Sequence, residues 1–448
     1  MTVRKVGKGL LSYKKLQEAI DQAEPGDVLE FKEGYCIEGE DVVIDKNLSL
    51  KGKTKTDVNG QTLLTNEIHG SITVKGGAEV EIDSLSLYGK LEHDIVALSI
   101  SEKSTVKLFN SVVAEEQEEK AGKVLIWVNG SRLDVSRSRL RSDNSNVVSV
   151  KNSAETIISD SIVIGDKLPA FWVKKSRLTA NETEMTCANA GTIYAEDSSE
   201  LTLTDGKVTG NGNSPAVWIE KSSLTTNGTE MTCAGSNVIY AKDSSELALT
   251  GGKITGDKSQ AVYVKQSKAD IGDAELVCMN SNVISVHDSS EVTITRGKIA
   301  CDGNFPAVWV GKSSLTTNGT EMTCAGSNVI VAEDSSELTL TDGKVTGNGN
   351  SPAVWVEKSH LTANGMEMTC ASANVIYAKD SSELTLTGGK ITGDKSQAVY
   401  VEQSKADIGD AELVCMNSNV ISVHDSSEVT ITRGKITGDG EAPAPCRH

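Results

Sequence analysis

Between Trp172 and Tyr400 the chain returns to one short phrase about every 23 residues, and this interval limits the fold more than any other feature. The phrase reads Ala170-Phe-Trp-Val, Thr192-Ile-Tyr-Ala, Ala216-Val-Trp-Ile, Val238-Ile-Tyr-Ala and Ala261-Val-Tyr-Val. Its aromatic falls at Trp172, Tyr194, Trp218, Tyr240 and Tyr263, in steps of 22, 24, 22 and 23. Self-similarity at this period means a solenoid, whose units bury their apolar faces only against their neighbours. The interval is about one turn of a right-handed parallel β-helix. The expected fold is therefore all-β: a single-stranded, right-handed parallel β-helix solenoid with a short N-terminal capping α-helix.

Composition agrees with many short strands joined by turns. The chain has 40 Gly, 7 Pro and only 4% aromatics, too few for a large globular core but enough for stacked columns of Val, Ile, Leu and Ala. A net charge of −18 argues against nucleic-acid or anionic-membrane partners, which demand clustered Lys and Arg. The basic stretch Arg132, Arg137, Arg139 and Arg141 follows strand alternation and reads as a solvated face. The opening MTVRKVGKGLLSYKK has no apolar run of signal-peptide length, and no stretch reaches the ~18 apolar residues of a membrane span. The expectation is a cytoplasmic protein with nine reduced cysteines, export without a classical signal staying open.

Residues 10–24 carry Leu16, Ala19, Ile20 and Ala23 at helical spacing, with Ser12 as the expected N-cap and Pro25-Gly26 as the stop. A strand follows at Val28–Phe31, then Gly34-Tyr35, then Val42–Ile44 and Leu48–Leu50. The runs LQEAIDQAEPGDVLEFKEGYC and VVIDKNLSLKGK resemble the opening segment of pectate-lyase-like right-handed β-helix proteins. By motif the resemblance covers about the first 55 residues, and beyond them only the coil period carries it. It implies the fold and leaves the activity open. Some bacterial, non-catalytic proteins of this look occur beside or fused to AAA-type ATPases. This chain has no G-x-x-x-x-G-K-[ST] loop, so such an ATPase would be a separate partner.

A second level of repetition lies above the first. LTDGKVTGNGNSPAVW starts at Leu203 and again at Leu340, and LTGGKITGDKSQAVY at Leu249 and Leu386, both offsets being 137 residues. The expected organisation is a cap over 1–47, irregular coils over 48–165, six regular coils over 166–302, their copy over 303–439 and a tail over 440–448. An acidic insertion starting at Ala114 is expected to loop out. Pro443-Ala-Pro-Cys446 cannot continue a strand ladder, so the last coil is expected to end bare or to pair end to end with another copy.

Stacking turns each repeated position into a column with neighbours ~4.8 Å apart. The outward column reads Trp172, Tyr194, Trp218, Tyr240, Tyr263, Ser285, Trp309, Val331, Trp355, Tyr377, Tyr400 and Ser422. Its aromatics are the candidate binding residues, suited either to sugar rings or to stacking on one another, with breaks expected at Ser285, Val331 and Ser422. A turn column alternates Lys175, Asp197, Lys221, Asp243, Gln266 and Asp288, which reads as an ion-pair ladder rather than as calcium sites.

Cys187, Cys233, Cys278, Cys324, Cys370 and Cys415 occupy every second coil, too far apart for disulfides and without a zinc spacing. Cys301 falls between Cys278 and Cys324, and this trio is the one expected spot for oxidation or a soft metal. His287-Asp288-Ser289 and its copy His424-Asp425-Ser426 lack triad geometry, because adjacent residues point apart. A catalytic cluster would break the repeat, so only the irregular coils could host one, with Glu92, His93, Asp94, Asp134 and Arg137 as candidates. Two functions follow. One is a non-catalytic scaffold or binding surface for a protein or glycan partner. The other is a carbohydrate-active protein, either lectin-like along the strip or a polysaccharide lyase or hydrolase in the irregular coils. No cofactor or metal is expected.

Overall fold

The computed structural model describes residues 1–9, 12–89, 95–116 and 124–438. The chain divides into two compact units, Met1–Leu224 and Thr225–His448. Both are built from right-handed parallel β-helix coils. A regular coil has three strands. The first carries the aromatic (Phe171–Lys174), the second is central (Arg177–Asn181), and the third ends in a cysteine or glycine (Glu184–Cys187). Each strand pairs in parallel with its counterpart one coil on, as Phe171↔Ile193↔Val217 do in the first unit. Ile239↔Val262↔Ile284↔Val308 do the same in the second.

Alternation decides what is inside. Phe171 and Val173 are buried while Trp172 and Lys174 between them are half-exposed. With period two, a one-residue slip would expose every Val and Ile of the strand. Full burial of each such side chain contributes roughly 1.5–3 kcal/mol, which holds the register.

Between the aromatic and central strands the chain makes a left-handed turn. One residue does this in some coils (Lys175, φ 50°) and two in the next (Asp197, φ 55°; Ser198, φ 64°). The alternation continues through Lys221, then Asp243-Ser244, Gln266, and Asp288-Ser289. This one-residue difference explains part of the uneven step in the sequence; the rest is one extra loop residue in coils such as that holding Gly210–Pro215. From Ser176 to Ser404 each turn ends on a buried serine, whose hydroxyl accepts the backbone N–H of the corner residue one coil earlier. In the first unit the Ser176 N–H donates to Ser199 Oγ at 3.4 Å and the Ser199 N–H to Ser222 Oγ at 3.1 Å. In the second, the Ser267 N–H donates to Ser290 Oγ at 3.2 Å and the Ser290 N–H to Ser313 Oγ at 3.1 Å. The hydroxyls donate back to their own coil, Ser290 Oγ to the His287 carbonyl at 2.6 Å.

The turn column is thus first a column of left-handed residues. Its aspartates do find cations, but from the strand ends rather than from the column's own lysines: Lys174 to Asp197 at 3.1 Å and Lys265 to Asp288 at 3.3 Å. An Asp tolerates the left-handed conformation because its short carboxylate can bond locally.

The N-terminal helix is shorter than its sequence pattern suggested, spanning only Leu16–Asp21. Ser12 does not cap it, because Ser12–Tyr13 is a strand paired with Val3–Val6. Glu40 caps it instead, accepting the N–H groups of Leu16 and Gln17 at 3.0 Å each. Leu16, Ala19 and Ile20 are buried. Val3–Val6 pairs in parallel with Asp27–Phe31, and Asp27 secures the join. Its carboxylate accepts the Thr2 N–H and the Arg4 guanidinium, which together hold it down to about pKa 2.

Of the acidic insertion, Ala114 and Glu115 lie on the strand Val112–Glu115, and the Glu115 carboxylate accepts the Asp143 and Asn144 N–H groups. Residues 117–123 and 439–448, with Pro443 and Cys446, lie outside the described residues. In the last described coil the inward positions Val423, Ile431 and Ile436 are 42–48% exposed.

Ser290→Ala leaves the Ser267 N–H buried without its acceptor, and we expect a loss of about 1–3 kcal/mol. Urea unfolding of the full chain, together with faster exchange of the Ser267 amide, measures this. Unchanged stability and exchange would remove the ladder from the account of the fold.

Candidate aromatic groove

The outward column forms a strip of half-buried rings in each unit. In the first unit Trp172 meets Tyr194 edge-on at 6.4 Å between centroids, and Tyr194 meets Trp218 at 5.6 Å. In the second, Tyr240 and Tyr263 stack at 4.9 Å, as do Tyr377 and Tyr400, while Trp355 and Tyr377 lie tilted at 4.8 Å. Burial raises the Tyr263 and Tyr400 hydroxyl pKa values above their ordinary range. The strip also includes a ring that sequence reasoning did not place in it. Trp127 pairs in register with Ser149, and Ser149 with Trp172. Its signal was the run Val124-Leu-Ile-Trp-Val, set among irregular coils.

Two of the expected breaks are not breaks. At Ser285 the residue two places on, His287, lays its imidazole 4.7 Å from Tyr263 and 4.4 Å from Trp309. At Ser422, His424 stacks 4.8 Å from Tyr400. A small buried serine leaves room, and the next outward side chain on the same strand leans over it. At Ser149 the filler is Lys151, whose ammonium stands 4.0 Å from the Trp172 centroid and 5.1 Å from that of Trp127. Each of these gaps is closed from within by an aromatic ring or by a cation on a ring face.

Val331 is different. It lies in register between Trp309 and Trp355 and is itself buried. The residue two places on is Glu333, which supplies no ring. The result is a groove of about 590 Å³ running from Tyr263 and His287 past Trp309 and Val331 to Trp355. Loop residues Gln260, Asn282, Pro306, Ser327 and Asn328 form one rim, and Glu333 stands at the other.

The 137-residue offset shows what differs between the two blocks at the groove. Trp309, Val331 and Trp355 are the counterparts of Trp172, Tyr194 and Trp218, so the groove occupies the place of a tyrosine ring. A second difference accompanies the first: Gly311 stands at the counterpart of Lys174. The Trp309 indole folds over that glycine, where a Cβ would come within 2.5 Å of its ring. Any side chain at 311 would push Trp309 back.

The other expected sites fare as follows. Asp134 bonds to Arg132 at 2.9 Å, not to Arg137, which is a left-handed turn residue. Glu92, His93 and Asp94 lie outside the described residues. Asp288 pairs with Lys265, while His287 belongs to the strip. Cys278, Cys301 and Cys324 are consecutive register neighbours and all buried. Cys301, hydrogen-bonded to Cys324 and desolvated, is held as a thiol. Among the described residues no three His, Cys, Asp or Glu side chains converge as a metal site. No helix among them is long and apolar enough to cross a membrane.

Residues 122–276 match the family model described as "Right handed beta helix region". Comparison with curated proteins returns no match. Among solved structures, the chain is similar to the Vag8–C1 inhibitor complex at 15% identity, over 91% of this chain and 99% of that one, with a TM-score of 0.46. A double mutant of the periplasmic alginate epimerase AlgG matches at 12% identity, over 82% and 77%, with a TM-score of 0.38. The A-module of the Azotobacter vinelandii mannuronan C-5 epimerase AlgE6 matches at 12% identity, over 96% and 95%, with a TM-score of 0.27. At these identities and scores nothing about ligand or activity carries over.

Two histidines titrate in opposite directions. Burial alone would lower His69, but its ring nitrogens lie 2.7 Å from Glu116 and 3.1 Å from Glu67, and the two carboxylates raise it overall. Burial lowers His287. An NMR titration is expected to place His69 above the usual ~6.5 and His287 below it. By linkage, the His69 contribution to stability is fully present below ~6.5 and lost as pH rises through its folded value. The His287 penalty is absent above ~6.5 and grows as pH falls from there to its lower folded value. Both histidines titrating at the usual value would contradict this.

Proposed function

We propose that this right-handed parallel β-helix protein binds a glycan without cleaving it, in the groove between Trp309 and Trp355. The observation that carries the reading is the missing ring at Val331. Elsewhere the strip satisfies its own faces, by ring on ring or by cation on ring, and needs no ligand. Around Val331 the two tryptophans have lost the ring that separates their counterparts. A concave apolar surface with a few convergent polar groups is the ordinary form of a small-ligand site. The apolar face of a sugar ring suits aromatic walls, and its hydroxyls suit the amides of Gln260, Asn282 and Asn328 on the rim.

Binding fits better than turnover. Glycoside hydrolysis by the common route needs two carboxyl groups across the scissile bond, and the groove lining holds one, Glu333. The strip in the first unit, whose gap at Ser149 is filled by Lys151, is read as structural.

Titration of the full chain with hexose oligosaccharides, followed by tryptophan fluorescence and calorimetry, tests this. Trp309→Ala and Trp355→Ala are each expected to weaken binding by about tenfold or more, near 1.4 kcal/mol. Val331→Tyr restores the ring of the first copy and should abolish binding while leaving the fold intact. Trp218→Ala should change little. Binding that survives Val331→Tyr unchanged would place the ligand elsewhere on the molecule.

A further inference from the structure

The one carboxylate in the groove carries a second inference, which rests on the glycan-binding reading. Glu333 is the 137-residue counterpart of Glu196. In the first copy Glu196 is engaged through Oε1, which Lys174 holds at 3.0 Å and to which the Trp172 indole N–H donates at 3.2 Å. The second copy dismantles that arrangement. Gly311 stands where Lys174 would supply the cation, and the Trp309 indole lies over Gly311. No side-chain hydrogen bond or ion pair among the described residues engages the Glu333 carboxylate. It nonetheless stands half-buried beside a tryptophan wall.

A carboxylate taken partly out of water and left unpaired is costly, and the cost is recovered only when a partner brings donors or positive charge. No Lys or Arg lines the groove, and burial disfavours a charge on His287. The lining therefore carries one negative charge, on a chain of net charge −18. Outside the lining, Lys379 stands 5.1 Å from the Trp355 ring centroid. It belongs to the coil beyond Trp355 and is engaged by Glu357 at 2.9 Å and Asp380 at 3.5 Å. A uronic acid in the groove would meet Glu333 as a like charge with no cation between them.

We propose that Glu333 makes this groove selective for glycans bearing a free ammonium group, amino-sugar oligomers, over glycans bearing carboxylates. Hydroxyl-only glycans fall between, because they can donate hydrogen bonds to Glu333 without the charge.

The test compares three probes on the full chain at low salt: a glucosamine oligomer with its amines protonated, a neutral glucose oligomer and a galacturonate oligomer. The wild type is expected to bind the glucosamine oligomer at least tenfold more tightly than the galacturonate one. Glu333→Gln should bring that ratio to within about threefold of unity, chiefly by weakening the glucosamine oligomer. Galacturonate binding as tight as glucosamine in the wild type, or a ratio unmoved by Glu333→Gln, overturns the selectivity and leaves the groove reading standing. If no probe binds, or Trp355→Ala weakens none of them, the glycan reading itself falls and the selectivity with it.

Discussion

The hydrogen bond from one turn serine to the next is the interaction on which the rest of this structure depends. A left-handed turn is the least favoured backbone step in each coil, costing a non-glycine residue roughly 1–2 kcal/mol. It also points the N–H of the following serine along the stack. That N–H is buried, and a buried donor without an acceptor costs more than most single contacts return. The hydroxyl of the next serine supplies the acceptor, at 3.1 Å from Ser199 to Ser222 and 3.1 Å from Ser290 to Ser313. Because the acceptor sits one coil on, each turn is completed only by its neighbour. Register is therefore specified twice, by apolar alternation within the strands and by the serines at their corners.

With register held so firmly, the outward face is free to vary. An exposed column contributes little to the core, so a ring can be exchanged for another filler without disturbing the fold. The chain does this with His287, His424 and Lys151. Where Tyr194 of the first copy corresponds to Val331 of the second, it leaves the space open. The loss of one stacked ring costs on the order of 0.5–1.5 kcal/mol per pair, small beside the burial of the strand beneath it. The paired change from Lys174 to Gly311 redirects Trp309 and releases Glu333 from its cation. Two substitutions thus turn a self-satisfied surface into one with unmet contacts.

Much of the architecture was legible in the sequence because it rests on periodicity. The repeat phrase assigned Trp218 and Tyr263 to one outward column, and the 23-residue interval placed Cys278, Cys301 and Cys324 in another, as the strand pairing does. The helix at Leu16–Asp21 was legible as a helix but not in its cap. Glu40 lies 24 residues from Leu16, and no local pattern links a carboxylate to a helix end at that distance. The strip was misread at Ser285 and Ser422 for a related reason. A column lists one position per coil, whereas the gap is filled from another position on the same strand, by a side chain leaning sideways. In the sequence Val331 reads as one of three breaks in the strip, with no bearing on where a ligand would sit. With the neighbouring gaps closed by their own strands, the same interruption became the strongest reason to expect one. Trp127 was missed because its coil departs from the repeat phrase.

The alternation between one and two left-handed residues has a consequence for how such a chain can grow. A coil with Lys175, Lys221 or Gln266 is always followed by one with an Asp-Ser pair, so the hereditary unit is two coils rather than one. The 137-residue duplication copied six coils, an even number, and the order of short and long corners passes across the copied boundary without a fault. An unequal exchange of five or seven coils would set two corners of the same kind side by side, two short or two long. Lineages carrying this sequence should therefore differ in length by whole pairs of coils, a parity rule written into the corners rather than into the core.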